Sequence, residues 1–174
     1  MSRPTPRTEY GECFVGDGPD AAHLNTVLGP RGSAVETAWV TALATPRQGH
    51  AAFVVTAVPG VAVRPHTLFV NKAPIENDGH GRVTWGAAQA GVAAGVMDAV
   101  RDGVIDPAAA AELLLIAAAW VNPAAADEQA VFENNRQATV GALAAGQADR
   151  PTVAEALTAA LAPSNAFFAG PASS

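Results

Sequence analysis

An α/β architecture, one mixed sheet with helices packed against it, is expected from three features of the 174-residue sequence. Short stretches of alternating or β-branched residues, such as 22–28 and 67–72, are interleaved with stretches whose apolar residues recur at helical spacing. Glycine and proline pairs, Gly29-Pro30 and Pro59-Gly60, separate the two kinds. Paired hydroxyl and carboxylate residues, Ser33-x-x-Glu36 and Thr152-x-x-Glu155, mark helix starts. No internal repeat is visible, and the length suits one domain of roughly 100–200 residues.

Residues 1–10 are polar and carry prolines, so a mobile lead-in is expected there, followed by a domain over 11–165 and a tail over 166–174. Residues 12–18 read as a short strand running into a turn. Residues 22–28 alternate, which places His23, Asn25 and Val27 on one strand face and Leu24, Thr26 and Leu28 on the other. Gly29-Pro30-Arg31-Gly32 breaks this strand. Ser33 and Glu36 then form a capping box for a helix burying Val35, Trp39 and Leu43. Residues 51–58 read as one strand, and 67–72 as another with Leu68, Val70 and Lys72 on one side. Residues 73–83 read as a loop, after which Thr84 caps a helix through Gln89, Val92, Val96 and Val100, closed by Gly103. Asp106-Pro107 reads as another helix start. The run 112–121 is apolar throughout and fits a buried helix or a buried strand. Asn122-Pro123 opens a long helix with Phe132, Arg136, Thr139 and Leu143 on one side, closed near Gly146. Thr152 and Glu155 form a second capping box, and Phe167-Phe168 is the docking point of the tail.

Composition narrows the function. Apolar residues make up 49% of the chain but aromatic ones only 6%, so alanine and valine carry much of that content. Side chains this small bury little area each, at about 25 cal/mol per Å², and association between subunits is expected to bury more. The chain has 10 Lys+Arg against 16 Asp+Glu, a formal charge of −6, with the basic residues scattered. A phosphate backbone would be repelled overall, which argues against nucleic acid as a partner. A single cysteine, Cys13, leaves no intrachain disulfide and fits a reducing compartment. Residues 1–7 lack the apolar run of a secretory signal, and no charge-free stretch approaches the roughly 20 residues of a membrane span. A cytoplasmic protein without membrane attachment, handling a small molecule, is the expectation.

Few residues announce chemistry. His23, His50, His66 and His80 are far apart in sequence without the spacing of metal ligands, so no metal is expected. Gly29-Pro30-Arg31-Gly32-Ser33 precedes a helix start but lacks the Gly-Lys-Ser/Thr ending of a nucleotide loop, and reads as a turn and cap. His23 is of the type best suited to proton transfer near neutral pH, and Asn25 shares its strand face; the plainer reading is a hydrogen-bonded histidine at the core's edge. Lys72 ends an apolar strand and either aims an ammonium into a cleft or snorkels to water. Gln89, in the first turn of its helix, has no special reading of its own. Asp98, Arg101 and Asp102 read as a solvated face.

Taken together, these residues resemble the formaldehyde-activating enzymes. The resemblance rests on Val15-Gly16-Asp17-Gly18 with Ala22-His23, on Gly29-Pro30-Arg31-Gly32-Ser33 with Glu36-Thr37-Ala38, and on Pro65-x-Thr67-Leu68, Asn71-Lys72 and Gly86-x-Ala88-Gln89-x-Gly91-Val92-Ala93. It runs from about Gly11 to near Gly146 with the motifs in order and at matching distances. It implies an α/β fold of the ribosomal protein S5 domain 2-like type with a left-handed βαβ crossover, and so a strand over 112–121. It further implies a pentameric ring with substrate in clefts between subunits, and condensation of formaldehyde with tetrahydromethanopterin to the methylene adduct and water. The reduced pterin is then a substrate, and no separate cofactor is implied. By the same resemblance His23 is the general acid, Lys72 and Gln89 contact the pterin, and Val54 lines the cleft.

The sequence departs from the family pattern at several points. Asn25 stands where aspartate is typical, and carries no charge to favour an imidazolium. Pro74 replaces a threonine that contacts the pterin. Ala90 replaces a histidine, and the histidine-proline-phenylalanine of the family tail is not reproduced near Asn165-Ala166-Phe167. Two functions follow: an active condensing enzyme, favoured by His23, Lys72 and Gln89, or a divergent paralogue that binds formaldehyde, a pterin or another small molecule as carrier or sensor without fast turnover, favoured by Asn25 and Pro74. A site grafted on the fold, rather than the fold itself, decides between them.

Overall fold

Alternation along the strands gives the sheet two unlike faces, one covered by a pair of packed helices and the other covered by a helix only at one corner. The computed structural model describes residues 7–171; residues 1–6 of the expected lead-in and 172–174 of the expected tail lie outside the described residues. In chain order the strands are β1 (Glu9–Val15), β2 (Ala22–Pro30), β3 (Phe53–Val54), β4 (Thr56–Val58), β5 (Val61–Ala62), β6 (His66–Asn71) and β7 (Leu113–Trp120). The helices are α1 (Ala34–Ala44), α2 (Asp78–Val83), α3 (Gln89–Arg101), α4 (Glu128–Gln147) and α5 (Val153–Ala159). Five strands form a mixed sheet in the order β1-β2-β7-β6-β3, with β6 and β7 parallel and the other pairs antiparallel. The expected α/β class with one central mixed sheet is what the chain adopts.

One face of the sheet carries Leu24 and Leu28 of β2, Phe69 of β6, and Leu115, Ala117 and Ala119 of β7, all buried. They form one cluster with Val92 and Val96 of α3 and Val131, Ala138 and Leu143 of α4. The two helices approach closely because glycines face the partner backbone. A Cβ on Gly91 would stand 2.4 Å from the Phe132 carbonyl oxygen, and one on Gly95 would stand 2.6 Å from that of Arg136. Asp98 of α3 accepts from Arg136 of α4 at 2.5 Å and from Arg101 at 2.6 Å, tying the outer side of the pair. Arg101 and Asp102 lie on the solvated face as expected, while Asp98 is buried and forms a structural ion-pair group with Arg136 and Arg101.

Several local expectations are corrected. β1 begins at Glu9, inside the stretch read as lead-in, because its backbone pairs with Leu28 and Val27 of β2. The segment 51–58 is two strands. Val55 donates its N–H to Thr67 and accepts from Val63, so the chain leaves β6 there and Thr56–Val58 pairs with β5 instead. The first capping box is not reciprocal: Ser33 accepts from Val35 N–H, while Glu36 accepts from Gly32 N–H. On α1 only Val35 is buried; Leu43 is exposed and Trp39 half-buried, because the helix covers one corner of the second sheet face.

The stretch 73–83 is not all loop. Asn77 accepts from His80 N–H and starts α2, which passes through a π-helical turn (Thr84–Ala88) into α3. Thr84 is therefore internal to a continuous helical run, and Gln89 opens α3 within it. Asp106-Pro107 makes only a turn, since β7 begins at Leu113. The run 112–121 is that strand, as the resemblance implied. Asn122 caps a turn through Ala124, and α4 starts later, at the Asp127 cap. Its buried stripe is Val131, Asn135, Ala138, Thr139, Ala142 and Leu143, rotated from the expected one so that Phe132 and Arg136 flank it. The Thr152–Glu155 capping box forms as expected.

Candidate active site

The second sheet face holds the polar cluster. The strand pairing sets Phe14 opposite His23, Glu12 opposite Asn25, and Trp120 opposite His23 on the other side. With a two-residue period, all of these side chains project from the face that α3 and α4 leave uncovered. Lys72 lies one residue beyond β6, held by its N–H to the Ala119 carbonyl at 2.8 Å, and joins the same group. A cleft of about 910 Å³ opens over them. The chain segment after α5 closes one side: Asn165 and Phe168 pair as a small bridge, and the Phe167 ring stands edge-on to Trp120 at 5.7 Å.

The hydrogen bonds run in a line. Lys72 Nζ lies 2.8 Å from Asn25 Oδ1 and 3.3 Å from His23 Nδ1, and His23 Nε2 lies 2.8 Å from Glu12 Oε1. An ammonium has donors only, so Nδ1 accepts from Lys72 and Nε2 carries the hydrogen donated to Glu12. Burial pushes the Lys72 pKa down from its ordinary value, and the Glu12 carboxylate opposes that shift. The Phe14 ring is tilted against the imidazole at 6.0 Å. A nucleophile-type amine, a proton acceptor and a carboxylate that orients the acceptor therefore stand in sequence at the floor of a cleft with aromatic walls.

Three of the residues singled out from sequence, His23, Asn25 and Lys72, meet here. The other three do not. Val54 is half-buried in β3, opposite Leu68. Gln89 accepts the Thr56 N–H at 2.9 Å, beside the β4–β5 hairpin. Pro74 is exposed and packs beside Gly49. The remaining histidines have separate tasks: His80 is buried, with Nε2 donating to the Val121 carbonyl and Nδ1 accepting from the Glu76 backbone N–H. His50 lies against the Asn71 carbonyl, and His66 Nδ1 accepts from Arg31 and Arg64. Sequence reading missed Glu12, Phe14 and Trp120, while the expected docking of Phe167 is found against Trp120. The alternation of Tyr10, Glu12 and Phe14 was the available signal, but only the register with β2 shows which neighbours they meet.

A family model described as Formaldehyde-activating enzyme (Fae) matches residues 10–168. The 5,6,7,8-tetrahydromethanopterin hydro-lyase of Methanosarcina barkeri is 41% identical over 151 residues, covering 87% of this chain and 85% of that protein. The bifunctional enzyme Fae/Hps of Methanothrix thermoacetophila is 33% identical over 129 residues, 74% of this chain and 33% of its own length. That of Methanosphaera stadtmanae is 30% identical over 131 residues, 75% of this chain and 32% of its own length. The chain thus spans about a third of these two bifunctional relatives and most of the hydro-lyase.

Proposed function

The chain belongs to the formaldehyde-activating enzyme family, and from that premise we propose that its cleft condenses formaldehyde with tetrahydromethanopterin to give methylene-tetrahydromethanopterin and water. The observation that carries this reading is the His23–Glu12 pair at 2.8 Å within the cleft. Addition of a pterin amine to formaldehyde gives a carbinolamine, which must lose its oxygen as water. His23 supplies the proton to that oxygen, and Glu12 stabilises the imidazolium from which it comes. The second pterin amine then closes on the same carbon as an intramolecular step, with the reacting groups already held together. Phe14, Trp120 and Phe167 offer apolar walls for a flat ring.

The rest of the proposed site depends on a neighbour. Val54, Pro74 and Gln89 lie away from the His23 cleft of their own subunit, so a homo-oligomeric ring, a pentamer by family resemblance, would bring one subunit's group to another's. Exposed Tyr10, Val58 and Val61 add apolar surface for such contacts. No helix among the described residues is long and apolar enough to cross a membrane, and a cytoplasmic location is part of the proposal.

Stopped-flow formation of the methylene adduct, with and without protein, tests the function directly. His23→Ala is expected to lose about 10²-fold or more in catalysed rate while the melting temperature and pterin affinity stay close to the parent's. An unaccelerated parent reaction would favour the binding-protein reading. A variant with unchanged rate would remove His23 from the chemistry.

A further inference from the structure

Lys72 is the only lysine in a sequence with nine arginines, and it lines the cleft. Arginine does not lose its proton in proteins, whereas a lysine amine does so when desolvated. The one side chain of the sequence able to present a neutral primary amine is thus placed where the proposed substrate binds. Its setting differs from that of a lysine kept as a charge. The closest acceptor, Asn25 Oδ1 at 2.8 Å, positions the nitrogen without a negative charge. The next, His23 Nδ1 at 3.3 Å, is a base with its lone pair towards the amine. Behind it Glu12 holds Nε2 at 2.8 Å. A nucleophile beside a base, with the base oriented by a third group, is the arrangement that activates nucleophiles in covalent catalysis.

We propose that Lys72 captures formaldehyde covalently, as a methylene iminium on Nζ, so that water is lost on Nζ in place of direct addition by the acceptor amine, to which the one-carbon unit then passes; this rests on the reading that formaldehyde is the substrate of this cleft. The Lys72 ammonium first gives a proton to His23 Nδ1. The freed nitrogen pair forms a bond to the formaldehyde carbon as the C=O π pair moves to oxygen, which takes the proton back from the imidazolium. The nitrogen then sheds its extra proton to His23. In the resulting carbinolamine the C–O bond breaks, the nitrogen pair forms C=N, and the leaving oxygen departs as water with that proton. One ammonium and one formaldehyde thus become one iminium and one water, with no change of oxidation state. Transfer to an acceptor with two N–H groups returns the ammonium and leaves the carbon bridging both nitrogens, so the cycle closes without an added oxidant or reductant.

The partial burial of Lys72 supports this chemistry, since desolvation lowers its pKa and raises the neutral fraction at a given pH. Glu12 acts in the opposite direction on the amine, yet it also steadies the imidazolium that the proton transfer creates. The net direction remains downward.

The test is reductive trapping on the whole, unmodified protein at pH 7. Formaldehyde and cyanoborohydride are added with N-acetyl-lysine amide in the same tube, and methyl groups are located by peptide mass mapping. With one lysine in the sequence, side-chain methylation reports Lys72 alone, and the amide in the same tube reports equal reagent exposure between samples. Lys72 is expected to gain its first methyl on the order of 10²-fold faster than the free amide, and Glu12→Gln to lose most of that advantage with labelling of the amide unchanged. Labelling no faster than the free amide overturns the proposal; if the same protein still accelerates methylene-adduct formation, the proposed condensation stands without it. Fast labelling in a protein that does not turn over the pterin leaves covalent capture in place and overturns the condensation reading.

Discussion

Asn25 takes its meaning from its partner. The sequence alone suggests an asparagine beside His23 that withholds charge from the imidazole, so that an aspartate there would restore it. In the fold its amide oxygen meets Lys72, while the carboxylate serving His23 is Glu12 from the neighbouring strand. Asn25→Asp therefore places its new charge on the amine. Opposite charge favours the protonated form, so the variant raises the Lys72 pKa, slows capture at pH 7 and moves the pH dependence of trapping upward. A profile superimposable on the parent's would show that the amine is insensitive to position 25. His23 and Asn25 could be read as one cluster because their two-residue spacing is local information. Glu12 and Trp120 could not, since they reach His23 only through the pairing of β1 with β2 and of β2 with β7.

At the scale of elements, the helix layer depends on backbone proximity. Replacing a helix-interior glycine by alanine ordinarily favours the helix by up to about 1 kcal/mol. At Gly95 the new methyl would meet the Arg136 carbonyl at 2.6 Å and the Thr139 side chain as closely. Overpacking of this kind costs about 1–3 kcal/mol, so Gly95→Ala is expected to lower the urea midpoint, and a rise would show that α3 and α4 can separate freely. The Asp98 group on the outer side of the same pair adds a pH signature. Hydrogen bonds from Arg136, and then from Arg101, hold its carboxyl below the usual carboxylate range despite the opposing effect of burial. The unfolded chain then binds the proton more readily, so the stabilisation is complete above the unfolded value of about 3.9 and is lost as pH falls through the lower folded value. The melting-temperature gap between the parent and Asp98→Asn should hold steady from neutral pH to about pH 5 and shrink below about pH 4. A gap that widened in acid would contradict the assignment. Elements read correctly from sequence, such as β2, β6, the Ser33 start of α1 and the Thr152 cap of α5, are those whose signals are local. The α2 start was obscured by glycines on both sides of His80, the 51–58 split by a buried Val55 bonded on both sides, and β7 by an apolar run that fits either structure.

At the scale of the molecule, α3 and α4 cover one side of the sheet, while the other side, covered by α1 only at one corner, opens to the cleft. Tyr10 at 70% exposed and Phe14 at 42% add apolar surface to the side that carries the polar cluster. Light scattering is expected to find a closed oligomer at micromolar concentration, and a stable monomer would sink the proposed ring. The same division has a consequence for how such a protein can change through descent. Along β2, Leu24 and Thr26 belong to the core while His23 and Asn25 belong to the cleft, so neighbouring codons answer to different demands. A substitution at position 25 rewrites the chemistry beside Lys72 without removing an atom from the hydrophobic cluster. Lineages can therefore try new acceptors, new charges and new substrates on the open side while the helix-covered side preserves foldability.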